Sequence, residues 1–517
     1  MTSKEAVEGY CLPLSVEPGQ RVALHAAATQ RVGQAAAGPA EHELHVDIEI
    51  ARIGAERHVV QRLNGLIARP QPIAADAYAR GANFPVLATI DVGRDYPSGY
   101  YEVRMRTHRA DGTRVERCAC FVLRPAPNAA RNRPLLALAT NTWNAYNDWG
   151  GANLYTSATH VSFARPFAHG LLDRPDPLHH RNTNRAPDPD LTMRAYTEYL
   201  RAQRVCVWSG SAGFASFERP FVEWAERAGY ALDYATSADL EDHPELLLQG
   251  RPLYLSVGHD EYWSSGMRDS VEAFIARGGN ALFLSGNTCC WQVRYEDAGA
   301  TLVSYKGRAR RDDPTSDPRL LTSLWSDPRI GRPETKLTGL TFTRGGYHRI
   351  GGGVPRGAGG YTIWRPKHWL FAGTDLRYGD LFGAEHGVVG YECDGCALTL
   401  QDGLPVPTGE DGCPPGFEVL GSAPARIFSV DADGNEYPEG LAQTRDMGEL
   451  QAVAITLFGN ASPESVRKIA HGNAVLGTYT AGGTVVSCGS TDWVFGLAGG
   501  DPLVERVTRN ALDRLSR

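Results

Sequence analysis

Cysteine is sparse in this chain, with ten residues in 517, scattered rather than patterned. A disulfide-stapled scaffold is thereby excluded, and reduced thiols are expected. One C-x-x-C is present, Cys393 to Cys396, with Cys413 beyond it, but no second pair follows at finger-like spacing. A four-ligand structural zinc is therefore not expected. No Lys/Arg-rich block stands out: 52 basic residues are interspersed with 59 acidic ones, for a net charge of -7. That balance speaks against nucleic acid as a partner. Long apolar runs are missing too. The stretch Met1 to Glu8 lacks an apolar signal core and no later segment is long enough to span a bilayer, so no membrane partner and a cytoplasmic location are expected.

What is present describes an ordinary globular protein, 42% hydrophobic and 21% charged. At this length two or three domains are the expectation. Residues 1–130 read as a β-sandwich module. Glu43 to Ile50 alternates polar and apolar, as do Tyr100 to Arg106 and Val115 to Leu123, the last two joined by the turn signal Ala110-Asp111-Gly112. After a Pro/Asn/Arg linker, residues 131–517 alternate strands and helices. Leu135 to Thr140, Ala231 to Ala235, Leu253 to Val257, Gly279 to Gly286 and Gly483 to Cys488 read as strands. Phe221 to Ala228, Gly266 to Ala276 and Leu503 to Leu515 read as helices. That order predicts an α/β domain with a parallel sheet. Residues from about 300 to 450 are rich in Gly, Pro and Asp and poorly periodic; they read as a long inserted loop/β region of solvated loops that covers the open sheet edge.

Three strand ends then deliver polar groups to one edge of that sheet, where open α/β folds bind ligands. The first carries Asn141 to Gly151, read as a strand-to-helix loop that holds Tyr146. The second carries Gly258-His259-Asp260-Glu261-Tyr262-Trp263; side-chain alternation puts His259 and Glu261 on one side. The third ends at Gly286 and presents Asn287. Phenols, a carboxylate, an imidazole and an amide without a histidine cluster suit a hard, high-valent cation such as ferric iron better than zinc or copper. Such an ion polarises a carbonyl and activates water, leaving His259 or a second carboxylate to move protons.

These motifs, with Leu154-Tyr155, Trp291, Gly390-Tyr391-Glu392, Gly489 to Trp493 and Thr508 to Leu512, resemble the large (beta) subunit of N,N-dimethylformamidase and its relatives. The resemblance runs from about residue 135 to the end and is weakest through the insertion. It implies a glutamine-amidotransferase-like α/β domain behind β-rich modules, one Fe(3+) bound by two tyrosines and a glutamate, and hydrolysis of small N-substituted formamides. Carried across, Glu261 is the glutamate ligand and Tyr146 the first tyrosine. Tyr155 and Tyr196 compete for the second place, with Tyr199 behind them. His259 stands beside the metal, Asn287 and Glu392 stand near the substrate, and Glu392 is the candidate proton-transfer carboxylate. A small partner subunit and a homo-oligomer follow from the resemblance alone.

Two other readings share these residues. Cys289 or Cys290, after the Gly286 strand, could serve as the nucleophile of a Cys-His-Glu hydrolase with His259 and Glu261. A binding protein that keeps the fold without the chemistry is the other, although unpaired polar groups in a buried pocket would be costly to retain.

Overall fold

The computed structural model describes residues 4–32, 35–108, 112–174, 198–200, 202–349, 357–427 and 448–517. Tyr196 and the turn residues Ala110 and Asp111 lie outside them. The chain divides into two compact units: Met1–Pro177 with Tyr199–Leu247 and Tyr295–Val303, and Leu178–Glu198 with Leu248–Arg294 and Ser304–Arg517.

In the first unit, alternating sequences build two largely antiparallel sheets. Lys4–Leu12, Arg21–Val32, Ala35–Pro39 and Val86–Asp91 form one; Ser15–Val16, Arg114–Leu123, Gly99–His108, Leu44–Ile53 and Arg57–Ala68 form the other. The expected pairing of residues 100–106 with 115–123 is in register, Val103 opposite Ala119. Val7, Leu24, Ile48, Val103 and Phe121 from the two sheets share one core. Further along, Leu135–Leu138 pairs in parallel with Asp233–Thr236. The chain does not continue into a loop after this strand. Thr140–Tyr146 is a short, fully buried helix. Its Trp143 indole donates to Glu218 Oε1 at 2.9 Å, and Asn141 N–H donates to Ser237 Oγ at 3.2 Å. Tertiary bonds of this kind override the weak helix propensity of Asn, Thr and Trp.

The second unit is organised on a mixed sheet ordered Leu253–His259, Asn280–Gly286, Gly483–Ser487, Gly472–Ala481, Glu418–Ala425, Tyr361–Ile363 and Leu381–Phe382. The first three strands run parallel. Leu253–His259 is buried along its whole length, as a strand covered on both faces should be. From Gly483–Ser487 outward every pairing is antiparallel. This overturns the expectation of an α/β, glutamine-amidotransferase-like parallel-sheet domain. Strand makes up 35% of the structure and helix 22%, and the sheets are mixed, so the fold is β-rich. The physical reason lies in residues 300–450. The strands Tyr361–Ile363, Leu381–Phe382 and Glu418–Ala425 join the sheet antiparallel, and such neighbours need no crossover helix. Nor are they solvated loops laid over an edge: Tyr361, Phe382, Val419 and Leu420 are buried.

The closing helix Pro502–Leu515 shows how local signals were kept. Asp501 Oδ1 accepts from Leu503 and Val504 N–H at 3.0 and 3.1 Å, Pro502 occupies the first turn, and Val504, Val507, Thr508, Ala511, Leu512 and Leu515 form the buried stripe. Among the described residues no helix is long and apolar enough to cross a membrane. Replacing Asp501 with Ala removes the cap and should cost about 1 kcal/mol in a denaturant titration; an unchanged midpoint would show that the cap contributes nothing.

Candidate active site

The site lies wholly in the second unit and begins where Leu253–His259 ends. Gly258 takes φ 79, a left-handed conformation that turns the chain just before His259. Two bonds from the neighbouring turn hold the backbone beyond it: Cys289 N–H donates to Asp260 O at 2.9 Å and Trp291 N–H to Glu261 O at 3.0 Å. Tyr262, Trp263 and Ser264 then pair with Trp291, Gln292 and Val293. The turn is itself unusual, with Asn287 at φ 50 and Cys289 at φ 56. Non-glycine residues seldom adopt that region, and such conformations concentrate at functional sites.

Glu392 arrives from the region expected to be a loop insertion. It opens the strand Glu392–Gly395, which pairs antiparallel with Thr341–Tyr347 so that Tyr347 faces Glu392. Gly286 permits the approach: a Cβ there would lie 2.6 Å from Glu392 O and 2.4 Å from Thr491 N. Only a residue without a side chain fits between these backbones.

The result is an imidazole held from both ends. His259 Nε2 lies 2.7 Å from Glu392 Oε2 and 3.4 Å from Glu261 Oε2, and Nδ1 lies 3.2 Å from the Tyr391 hydroxyl. With Glu392 ionised, Nε2–H donates to Oε2 and Nδ1 accepts from Tyr391. Asn287 Nδ2 donates to the same Oε2 at 3.3 Å, while its Oδ1 is buried without a protein partner. The four expected residues that meet here, His259, Glu261, Asn287 and Glu392, are at most 5% exposed.

Sequence reasoning missed several neighbours. Lys306 Nζ lies 5.2 Å from the ring centres of both Tyr262 and Trp291. Burial pushes its amine down to about 8, against the pull of the Glu261 carboxylate. The Tyr347 hydroxyl donates to Glu449 Oε1 at 3.3 Å, and burial, with Glu392 nearby, pushes the Glu449 carboxyl up to about 8. Asp394, two residues beyond Glu392, accepts Thr288 N–H at 2.9 Å; burial raises it to about 8, despite that bond. Only Asp394 carried a legible signal, because i and i+2 on a strand share a face. A lone lysine in an aperiodic stretch carries none.

Of the expected phenolate donors, Tyr196 lies outside the described residues. Tyr146 and Tyr155 belong to the first unit, where their rings pack 4.3 Å apart and both touch Trp208. For a ferric ion, the second unit supplies hard donors that fit, the Glu261 and Glu392 carboxylates meeting at one imidazole. A different cluster, Glu102, Cys118 and Asp173 of the first unit, has ligand atoms within 4.8 Å of one another. Arg57 and Arg104 hold Glu102, and Arg104 and Arg219 hold Asp173, so it is an ion-pair network. The thiols of Cys289 and Cys290 are pushed well up by burial, the opposite of what a thiolate nucleophile needs.

A family model described as N,N-dimethylformamidase beta subunit-like, C-terminal, matches residues 47–508. The chain belongs to this family. Among curated relatives, the N,N-dimethylformamidase beta subunit of Paracoccus aminophilus is 23% identical over 314 residues, and that of Alcaligenes sp is 22% identical over 311. Each alignment takes in 57% of this chain but spans only 36% of the relative's length. Among solved structures, CopC from Methylosinus trichosporium OB3b aligns at a TM-score of 0.14 and 17% identity, over 24% of this chain and 99% of that one. A likeness that slight carries no argument about this dimethylformamidase-like chain.

The raised Asp394 carboxyl has a consequence for stability. Its folded value, about 8 against an ordinary 3.8, means the folded state keeps a proton that the unfolded chain releases. That contribution is present below about pH 4 and is lost as pH climbs toward about 8. Unfolding free energy should therefore fall between pH 5 and pH 8, with Asp394→Asn removing a share on the order of a few kcal/mol. Equal pH slopes in the two proteins would contradict this.

Proposed function

We propose that the second unit hydrolyses the C–N bond of a small N-substituted amide or formamide, in keeping with its dimethylformamidase-like family. The observation that carries this reading is the 2.7 Å contact between His259 Nε2 and Glu392 Oε2 in a site closed to bulk water. That contact joins an imidazole to a carboxylate, the side-chain types that move protons to and from a reacting carbonyl. The pair takes a proton from the attacking water, the oxygen bonds to the carbonyl carbon, and the same proton passes to the departing nitrogen as the C–N bond breaks. The products are a carboxylic acid and an amine. Tyr391 fixes the tilt of the imidazole, and Asn287 holds Oε2 of Glu392 while leaving its own Oδ1 to accept from substrate or water.

The resemblance adds a ferric ion, for which Glu261 would be the carboxylate ligand beside two phenolates; bound, it would supply polarisation of the carbonyl oxygen. Both curated relatives are named as beta subunits, which supports a reading in which this chain works beside another subunit. Buried thiols with raised values leave the Cys289 or Cys290 hydrolase without support.

Glu392→Gln and His259→Ala should each lower turnover of an N-substituted formamide by roughly 100-fold to 10,000-fold while the circular dichroism spectrum is unchanged. Glu261→Ala should abolish both iron content, read by elemental analysis, and turnover. A Glu392→Gln protein that retained its rate would remove Glu392 from the chemistry.

A further inference from the structure

Beneath the imidazole lies a line of hydroxyls that the hydrolytic reading does not use. Ser256 Oγ donates to Asp260 Oδ2 at 2.8 Å and lies 2.9 Å from Ser285 Oγ, which lies 2.8 Å from Thr288 Oγ1. Thr288 N–H then donates to Asp394 Oδ2 at 2.9 Å, while Oδ1 of Asp394 is buried without a protein partner. Every member is at most 3% exposed. The line joins three strand ends: Asp260 sits between His259 and Glu261, Thr288 comes directly after Asn287, and Asp394 shares a strand face with Glu392.

A buried carboxyl is costly unless it holds something, and Asp394 holds a single backbone N–H. That N–H belongs to the residue after Asn287, whose left-handed φ of 50 sets the direction of its side chain. Asp394 N–H is itself anchored to Gly489 O at 3.0 Å, which fixes the carboxyl relative to the parallel strands.

From this geometry we infer that Asp394 is a positioning residue: by bonding Thr288 N–H it holds the Asn287 turn so that Asn287 Nδ2 meets Glu392 Oε2. The role rests on the hydrolytic reading for its effect on rate, but not for its effect on the turn. Loss of the acceptor would free Thr288 N–H, let Asn287 relax to an ordinary conformation, and withdraw its amide from Glu392. The hydroxyl line carries the same constraint to Asp260, so the flanks of all four site residues are tied together.

The test compares two variants of the full chain. Asp394→Leu keeps the number and branching of side-chain heavy atoms and removes the acceptor, whereas the isosteric Asp394→Asn keeps an oxygen for Thr288 N–H. Amide hydrogen exchange at Thr288, which needs no substrate, should accelerate at least tenfold in Asp394→Leu and return toward the parent rate in Asp394→Asn. In the formamide assay, Asp394→Leu should lose on the order of 100-fold in kcat with KM little changed, and Asp394→Asn should recover most of it. If Asp394→Leu fails to fold, Asp394→Asn alone decides: protection with kcat retained supports the assignment, and protection with kcat lost overturns it. Unchanged exchange in a folded Asp394→Leu also overturns it. If the parent protein hydrolyses no amide, the hydrolytic reading fails while the exchange comparison still stands or falls by itself.

Discussion

The imidazole of His259 lies between the carboxylates of Glu261 and Glu392 where water does not reach, and such carboxylates persist only when a cation or a hydrogen-bond donor answers them. That demand explains the rest of the site. Tyr391 leaves the Nε2 proton for Glu392, Asn287 donates to the same oxygen, and Lys306 brings an amine whose charge burial disfavours. Glu449 and Asp394 respond in the other way, through carboxyl values raised toward neutrality. Buried titratable groups gathered this closely mark a site suited to moving protons.

The backbone meets the same constraint by close approach. Gly286 lets Glu392 and Thr491 touch the end of a parallel strand, and Gly258 turns the chain so that His259 is delivered at the edge. A separate two-stranded antiparallel sheet, Thr341–Tyr347 with Glu392–Gly395, completes the site. It brings Glu392 and Asp394 on one face, and without it His259 would lose its 2.7 Å acceptor and Thr288 N–H its carboxyl partner.

The convergence of His259, Glu261 and Asn287 was legible because it arises from strand ends and side-chain alternation, both of which are local. The helix Pro502–Leu515 was legible for the same reason, through its cap, its proline and its apolar stripe. Glu392 was recognised from a motif rather than from pattern. Lys306 and Glu449 went unnoticed because they sit on a short 3-10 turn, Lys306–Arg308, and on a helix, Glu449–Phe458, whose places beside the site are set by tertiary packing; Asp394 was passed over although it shares a strand face with Glu392. The Thr140–Tyr146 helix was misread for a related reason: its bonds to Glu218 and Ser237 come from distant sequence. The glutamine-amidotransferase-like α/β class failed because it generalised three parallel strands to a sheet that is mixed.

The most direct measurement is the product balance of the purified chain given N-substituted formamides, with amine and formate quantified separately and His259→Ala as the control. Proton transfer by the His259–Glu392 pair predicts equal amounts of amine and formate from the parent protein and a rate near that of the uncatalysed reaction from the variant. Equal release by the two proteins, or none from a folded and iron-supplied parent, would contradict it.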